Sequence, residues 1–213
     1  MQKINYNLKM KDIIKENEKN NIKPTLLLQV CCGPCSSEVL TRLRDYFDID
    51  IYYYNPNIYP IEEFKERSKV VENLIKDMNL KSKVIVPENN PKDFYDYVDT
   101  RKDDHEMGKS CYKCYELRLR KTAIYAKERG YDFFSTTLSI SPYKKSDWLN
   151  EIGAKLEKEY GIRYLYSDFK KENGYKNSIE LSKKYNLYRQ DYCGCVYSYN
   201  ERRQSENKKI EKD

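Results

Sequence analysis

The segment Leu26-Leu27-Leu28-Gln29-Val30-Cys31-Cys32-Gly33-Pro34-Cys35-Ser36-Ser37 narrows the fold more than any other part of the chain. A short, mostly apolar run without polar alternation is the pattern of a strand covered on both faces, as strands of a parallel sheet are. Gly33 permits unusual backbone angles and Pro34 suits a first helical turn. Together they predict a tight turn into a helix with apolar positions Val39, Leu40, Leu43 and Phe47. Three thiols therefore fall between a strand's carboxyl end and a helix N-terminus. The unpaired amides and dipole of that helix end favour anions, thiolates among them.

Downstream the same alternation continues. Residues 49–54 read as a strand stopped by Asn55-Pro56-Asn57, and 60–78 as an amphipathic helix presenting Phe64, Val71, Leu74, Ile75 and Met78. A strand at 83–86, a short helix after Pro91, a helix at 111–129 halted by Gly130, and a strand at 132–138 follow. A helix carrying Trp148, Ile152, Leu156 and Tyr160, a strand at 162–166 and a helix near 178–185 complete the pattern. The expected architecture is a Rossmann-like α/β fold, a parallel sheet flanked by helices with a small C-terminal helical or irregular extension. Residues 1–23 form a lead-in with Ile4, Ile13, Ile14 and Ile22 as anchors, 24–200 a single α/β catalytic domain, and 201–213 a charged, frayed tail.

At 213 residues the chain can build one well-formed core. No apolar run approaches the roughly 20 residues of a membrane span, and the N-terminus lacks a signal-peptide core, so the expected location is cytoplasmic with no membrane partner. Lys and Arg number 40 against 34 acids, a formal charge of +6 that suits an RNA or acidic small-molecule partner and an ordinary enzyme alike. The 22 tyrosines are able to stack on unpaired bases, although base composition of the genome explains them as well.

Cysteine usage is more specific. Seven cysteines, an odd number with no secretion signal, argue against a disulfide framework, and all lie in three groups: Cys31/Cys32/Cys35, Cys111/Cys114 and Cys193/Cys195. Cys31, Cys32, Cys111 and Cys114 supply four thiolates for a metal. Adjacent cysteines are awkward on one tetrahedral zinc, whereas a cubane cluster offers separate iron corners, so iron–sulfur is favoured and zinc stays open. Cys35 is a fifth thiol, free for an extra metal or for substrate. Cys193-Gly194-Cys195 reads as a strained, labile redox disulfide or as a second metal-ligand pair.

Other candidate residues are less specific. Cys111, Cys114 and Arg118 follow at i, i+3 and i+7, which puts a guanidinium on the thiol face or, alternatively, in a surface ion pair. The run 135–145, with Ser141, Tyr143 and Lys144, reads as a grip for a phosphate or sugar, or as a turn leading to Ser146 as a helix cap. His105, the only histidine, lies among charges and reads as solvated.

Four motifs, Cys-Cys-Gly-Pro-Cys-Ser, Cys-Tyr-Lys-Cys-Tyr-Glu-Leu-Arg, the Thr-Thr-Leu to Ser-Pro-Tyr-Lys-Lys run and Arg-Gln-Asp-Tyr-Cys-Gly-Cys-Val-Tyr-Ser, occur in order over about 24–200. They resemble the epoxyqueuosine reductase family of the QueH type. That resemblance implies a core related to adenine-nucleotide α-hydrolase-like folds. It implies reduction of epoxyqueuosine to queuosine at the tRNA wobble position, the last step of queuosine synthesis, with an external electron donor. It also implies a 4Fe-4S cluster, carried onto Cys31, Cys32, Cys111 and Cys114, and a redox-active disulfide at Cys193 and Cys195. A second, mononuclear iron belongs to the same expectation with Cys35 as its candidate ligand, although some members have an aspartate there. Asp104, Asp147, Tyr143 and Tyr192 are candidate proton donors. The rival class is a zinc-stabilised RNA-binding module without catalysis. An ATP-using sulfur-transfer enzyme would need a Gly-rich phosphate loop where this chain has cysteines.

Overall fold

Leu26, Leu28 and Val30 point into one apolar layer and Leu27 into the other, so the first strand is buried on both faces as its composition requires. The computed structural model describes residues 4–98 and 106–210. Among them, β1 (Thr25–Gln29), β2 (Asp48–Tyr52), β3 (Val84–Ile85), β4 (Phe133–Thr136) and β5 (Arg163–Tyr164) form one sheet in the order β3-β2-β1-β4-β5. All four pairings are parallel, and Leu27 is in register with Asp50 on one side and Phe134 on the other.

Helices cover both faces. On one side α2 (Gly33–Leu43) and α3 (Ile61–Asp77) pack Val39, Leu40, Leu43, Val71 and Leu74 against Leu26 and Leu28. The other layer holds α5 (Lys109–Glu128) and α6 (Ser146–Tyr160), where Leu117, Leu119, Ala123, Ile152 and Leu156 meet Leu27, Phe134 and Tyr164. The strand order reverses between β1 and β4, and in open parallel sheets the crevice beyond the carboxyl ends at that point is where ligands bind. The thiol segment after β1 and the hydroxyl-rich segment after β4 are the two lips of this crevice.

Several details differ from the sequence expectation. The helix α1 (Tyr6–Lys19) anchors the lead-in through Met10 and Ile14, whereas Ile4 and Ile22 are exposed. Gly33 has no positive φ; it is the first residue of α2, and a Cβ there would lie 2.6 Å from Val70 Cγ1, so the glycine answers close helix packing. Helix α2 ends at Leu43, four residues before the buried Phe47. Ser146 opens α6 instead of capping it; Lys145 is the cap residue and makes no side-chain cap bond. After α4 (Pro91–Tyr97) and α7 (Gly174–Lys184), the chain continues as α8 (Val196–Ile210), so the segment from 201 to 210 is helical rather than frayed. No helix among the described residues is long and apolar enough to cross a membrane.

Candidate active site

Three helix starts carry cysteines. Cys32 is the N-cap of α2, Cys111 lies in the first turn of α5, and the Cys195 carbonyl accepts the Tyr199 amide at 3.0 Å at the start of α8. Cys31, Cys32, Cys111, Cys114 and Cys195 share one packed cluster at the carboxyl edge of the sheet. Each helix start presents unpaired amides and the positive end of a dipole, which stabilises sulfur in its anionic form.

Within the first group, Cys31 Sγ and Cys32 Sγ are 3.9 Å apart. Hydrogen bonds from Cys32 and Cys35 hold the Cys31 thiol well below its ordinary pKa, with further help from Arg118 and Arg67. Its neighbours move the other way: Cys32 is pushed up to about 12, first by its bond to Cys31, and Cys35 is raised for the same reason. The mutual contacts of the three sulfurs thus lower Cys31 and raise its two neighbours. Burial pushes Cys114 up to about 12, against the lowering effect of Arg118.

Arg118 is 2% exposed and is no surface ion-pair residue. Its Nη2 donates to Asn55 Oδ1 at 2.7 Å, and its guanidinium lies against Cys31 with Cys114 and Cys193 nearby. Asn55 in turn donates to the Val30 carbonyl at 2.8 Å and accepts from Gln29 Nε2 at 3.2 Å, which fixes the end of β1. The i, i+3, i+7 spacing therefore places two thiols and a cation on one buried helix face. Arg118 does not line the open cavity.

That cavity, of about 220 Å³, brings Cys31, Cys35, Ser141, Tyr143, Lys144 and Cys193 to one wall system. Most of the hydroxyl run is turned away from it. Ser135 donates to the Leu165 carbonyl, Thr136 to Gln29 Oε1, and Ser139 pairs with Ser167, all buried, so these groups secure β4 rather than grip a ligand. Ser141, Tyr143 and Lys144 are the part of the run that reaches the cavity. Among the candidate proton donors, Tyr143 is 61% exposed at its edge and Tyr192 lines it while donating its hydroxyl to the Tyr59 carbonyl. Asp147 lines a separate cleft with Tyr6 and Asp168, and Asp104 and His105 lie outside the described residues.

Sequence reasoning missed Arg67. It is 1% exposed on α3, with Nε 2.6 Å from Glu63 Oε1, and its Nη1 and Nη2 donate to the Cys193 and Tyr192 carbonyls at 3.2 and 3.4 Å. It thereby ties the Cys193-Gly194-Cys195 loop to α3. Gly194, at φ +125°, takes a conformation side chains rarely adopt. The signal in the sequence was an arginine on the apolar stripe of an amphipathic helix, one position before Ser68 and four before Val71.

None of the seven cysteines is in a disulfide, and among the described residues no three Cys, His, Asp or Glu side chains are gathered closely enough to hold one metal ion. The donor chemistry suits a thiolate-bound cofactor nonetheless: buried sulfurs from two helix starts, a buried guanidinium between them, and unpartnered polar atoms at Arg118 Nε, Asn57 Oδ1 and Tyr115 Oη in the same small pocket.

The parallel α/β sheet thus opens, at its switch point, on a cavity where Cys31, Cys35 and Cys193 meet. The family model described as epoxyqueuosine reductase QueH matches residues 26–201. The epoxyqueuosine reductase QueH of Streptococcus pyogenes is 39% identical over 201 residues, 92% of this chain and 79% of that protein. Its counterpart from Staphylococcus aureus is 42% identical over 203 residues (92% and 85%), and that from Thermotoga maritima 35% over 181 residues (84% and 93%). The chain belongs to the QueH family. Among solved structures, a predicted subunit of a tRNA methyltransferase from Methanocaldococcus jannaschii superposes with a TM-score of 0.47 at 16% identity, covering 71% of this chain and 74% of that one. The U34-tRNA thiolase NcsA from Methanococcus maripaludis, with its 4Fe-4S cluster, gives 0.47 at 10% identity, covering 89% and 67%.

Proposed function

We infer that this chain reduces epoxyqueuosine to queuosine in tRNA, as an oxidoreductase of the QueH family. The observation that carries this reading from the molecule itself is the meeting of Cys31, Cys35 and Cys193 on one cavity, backed by Cys32, Cys111, Cys114 and Cys195 in the adjoining buried cluster. Tyr143 and Tyr175 are exposed at that cavity and Arg189 lines it, which suits stacking on an unpaired base and contact with the phosphate chain.

The assignment of groups is as follows. Cys31, Cys32, Cys111 and Cys114 would hold a 4Fe-4S cluster, whose chemistry is to pass electrons one at a time. Cys193 and Cys195 are the redox pair, able to store two electrons as a dithiol. Cys35, partly exposed at the cavity wall, is the ligand available to a second iron. Ser141, Tyr143 and Lys144 contact the substrate, and Arg118 stabilises negative sulfur from behind rather than touching it. The electron donor is external and the chain acts in the cytoplasm.

The test is anaerobic turnover of an epoxide-containing tRNA stem-loop by reduced protein, wild type against Cys193→Ala, with iron, sulfide and zinc measured in the same preparations. The expected result is iron and acid-labile sulfide in both proteins and turnover in the wild type alone. Stoichiometric zinc without iron or sulfide would favour a non-catalytic RNA-binding module, and undiminished turnover in Cys193→Ala would remove the pair from the reaction.

A further inference from the structure

Lys144 is 7% exposed, and its ammonium has two side-chain partners: Glu106 Oε1 at 2.8 Å and Cys193 Sγ at 3.1 Å. A lysine is rarely buried to this degree unless something charged or strongly accepting holds it. Here a carboxylate and a sulfur do so at the wall of the substrate cavity, beside Ser141 and Tyr143. The segment itself is pinned, because Lys170 Nζ donates to the Lys144 carbonyl at 3.2 Å. From α5, the buried Tyr115 phenol faces the same ammonium without a hydrogen-bond partner of its own. Across the cavity stand Arg189 and Asp191. A charged proton donor therefore touches the partly exposed sulfur of the redox pair and borders the space where substrate must sit.

Removing an epoxide oxygen as water needs two protons as well as two electrons, and neither Asp147 nor the hydroxyl of Tyr192 is free beside Cys193 to supply one. We propose that Lys144 is the proton donor to the departing epoxide oxygen. The inference rests on Cys193 and Cys195 being the redox pair of an epoxyqueuosine reductase.

Counted with the proton of the Lys144–Cys193 hydrogen bond on the amine, the reacting set is a Cys193 thiolate, a Cys195 thiol and a protonated Lys144. The sulfur–sulfur bond forms and two electrons pass to the substrate. Both carbon–oxygen bonds of the epoxide break while the carbon–carbon double bond forms. Oxygen leaves as water, taking one proton from Lys144 and one from Cys195. A disulfide and a neutral lysine amine remain, with net charge unchanged. An external two-electron reductant then returns two electrons, and solvent returns two protons.

Arginine at this position separates charge from proton transfer, because a guanidinium keeps its proton at any working pH. The experiment is single-turnover oxidation of pre-reduced holoprotein by an epoxide-containing tRNA stem-loop, comparing wild type, Lys144→Arg and Lys144→Ala. General acid catalysis is worth about 10²–10⁴-fold, so both variants should slow at least about 100-fold. Added ethylamine should restore Lys144→Ala at least about tenfold, whereas ethylguanidinium should not. In parallel, iodoacetamide alkylation of reduced protein without substrate at pH 8 reads the Cys193 contact directly. It should slow severalfold in Lys144→Ala, where the cation that lowers the thiol is gone, and stay near wild type in Lys144→Arg.

Turnover of Lys144→Arg within threefold of wild type overturns the proposal, as does Lys144→Ala that no amine rescues. Alkylation that ignores position 144 overturns the contact on which it stands. Where thermal unfolding shows that either variant does not fold, Lys144→Met, of similar volume, is tested by the same loss of about 100-fold, and its turnover within threefold of wild type overturns the proposal. If wild type itself fails to turn over while alkylation responds to position 144, the substrate assignment is what has failed.

Discussion

Arg67→Ala is the most informative substitution outside the thiols, because one buried guanidinium serves both the fold and the redox loop. Its side chain is 1% exposed and its partner Glu63 is 12% exposed, so solvent screening offers little relief. Removing the arginine leaves a largely buried carboxylate with the Tyr188 hydroxyl but without its cation, and leaves the Cys193 and Tyr192 carbonyls without their donor. Breaking one side of a buried pair costs about 3–5 kcal/mol. For 213 residues, an unfolding entropy of about 2.1 cal/mol/K per residue gives about 0.45 kcal/mol/K. The expected fall in Tm is then about 7–11 °C by calorimetry or circular dichroism. With its tether gone the loop should also open, so alkylation of Cys195, buried in the wild type, should accelerate at temperatures well below Tm. Arg67→Met combined with Glu63→Met should recover about 1–4 kcal/mol of the loss, since no charge is left unpaired, while Cys195 stays reactive. A Tm shift below 2 °C with unchanged thiol reactivity would refute the argument.

Two further outcomes follow from local geometry. Gly33→Ala forces a Cβ to within 2.6 Å of Val70 Cγ1, so it should destabilise by about 1–3 kcal/mol in urea titration, and Val70→Ala should restore most of that loss. A full effect that persists in the double variant would mean the glycine serves something other than packing. Glu116 is raised by burial, but Lys155 at 2.8 Å and Arg120 at 3.0 Å outweigh this and hold it below the usual 4.5. A carboxylate held low in the folded state adds stability above its unfolded value and loses it as pH falls through the folded one. The gap in urea midpoint between wild type and Glu116→Gln should therefore be full at pH 6 and close below pH 4.5. A gap independent of pH would show that the network contributes by packing alone.

How legible the site was depended on the kind of signal. Spacing was enough for Cys111, Cys114 and Arg118, because a helix repeats every 3.6 residues and the three share a face whatever surrounds them. It was not enough for Ser135, Thr136 and Ser139. Hydroxyls in a run look alike, and only their distant partners Leu165, Gln29 and Ser167 decide that they face inward. Arg67 escaped notice because its partners, the Cys193 and Tyr192 carbonyls, lie more than a hundred residues away along the chain. Phe47 was placed inside a helix because its burial matches the helical period, although the chain reaches that position through a turn.

The sequence by itself determined the parallel α/β class, the grouping of seven thiols at element ends and, through four ordered motifs, the QueH family. These are local properties: periodicity, turn residues and motif order survive without knowing what packs against them. The tertiary structure decided which groups meet. It set Cys35 and Cys193 on an open cavity while Cys32 and Cys114 stay buried, and it brought Lys144 from the loop after β4 onto a sulfur 49 residues further along. Such contacts arise where a sheet's strand order reverses and several loops converge. No local pattern encodes that convergence.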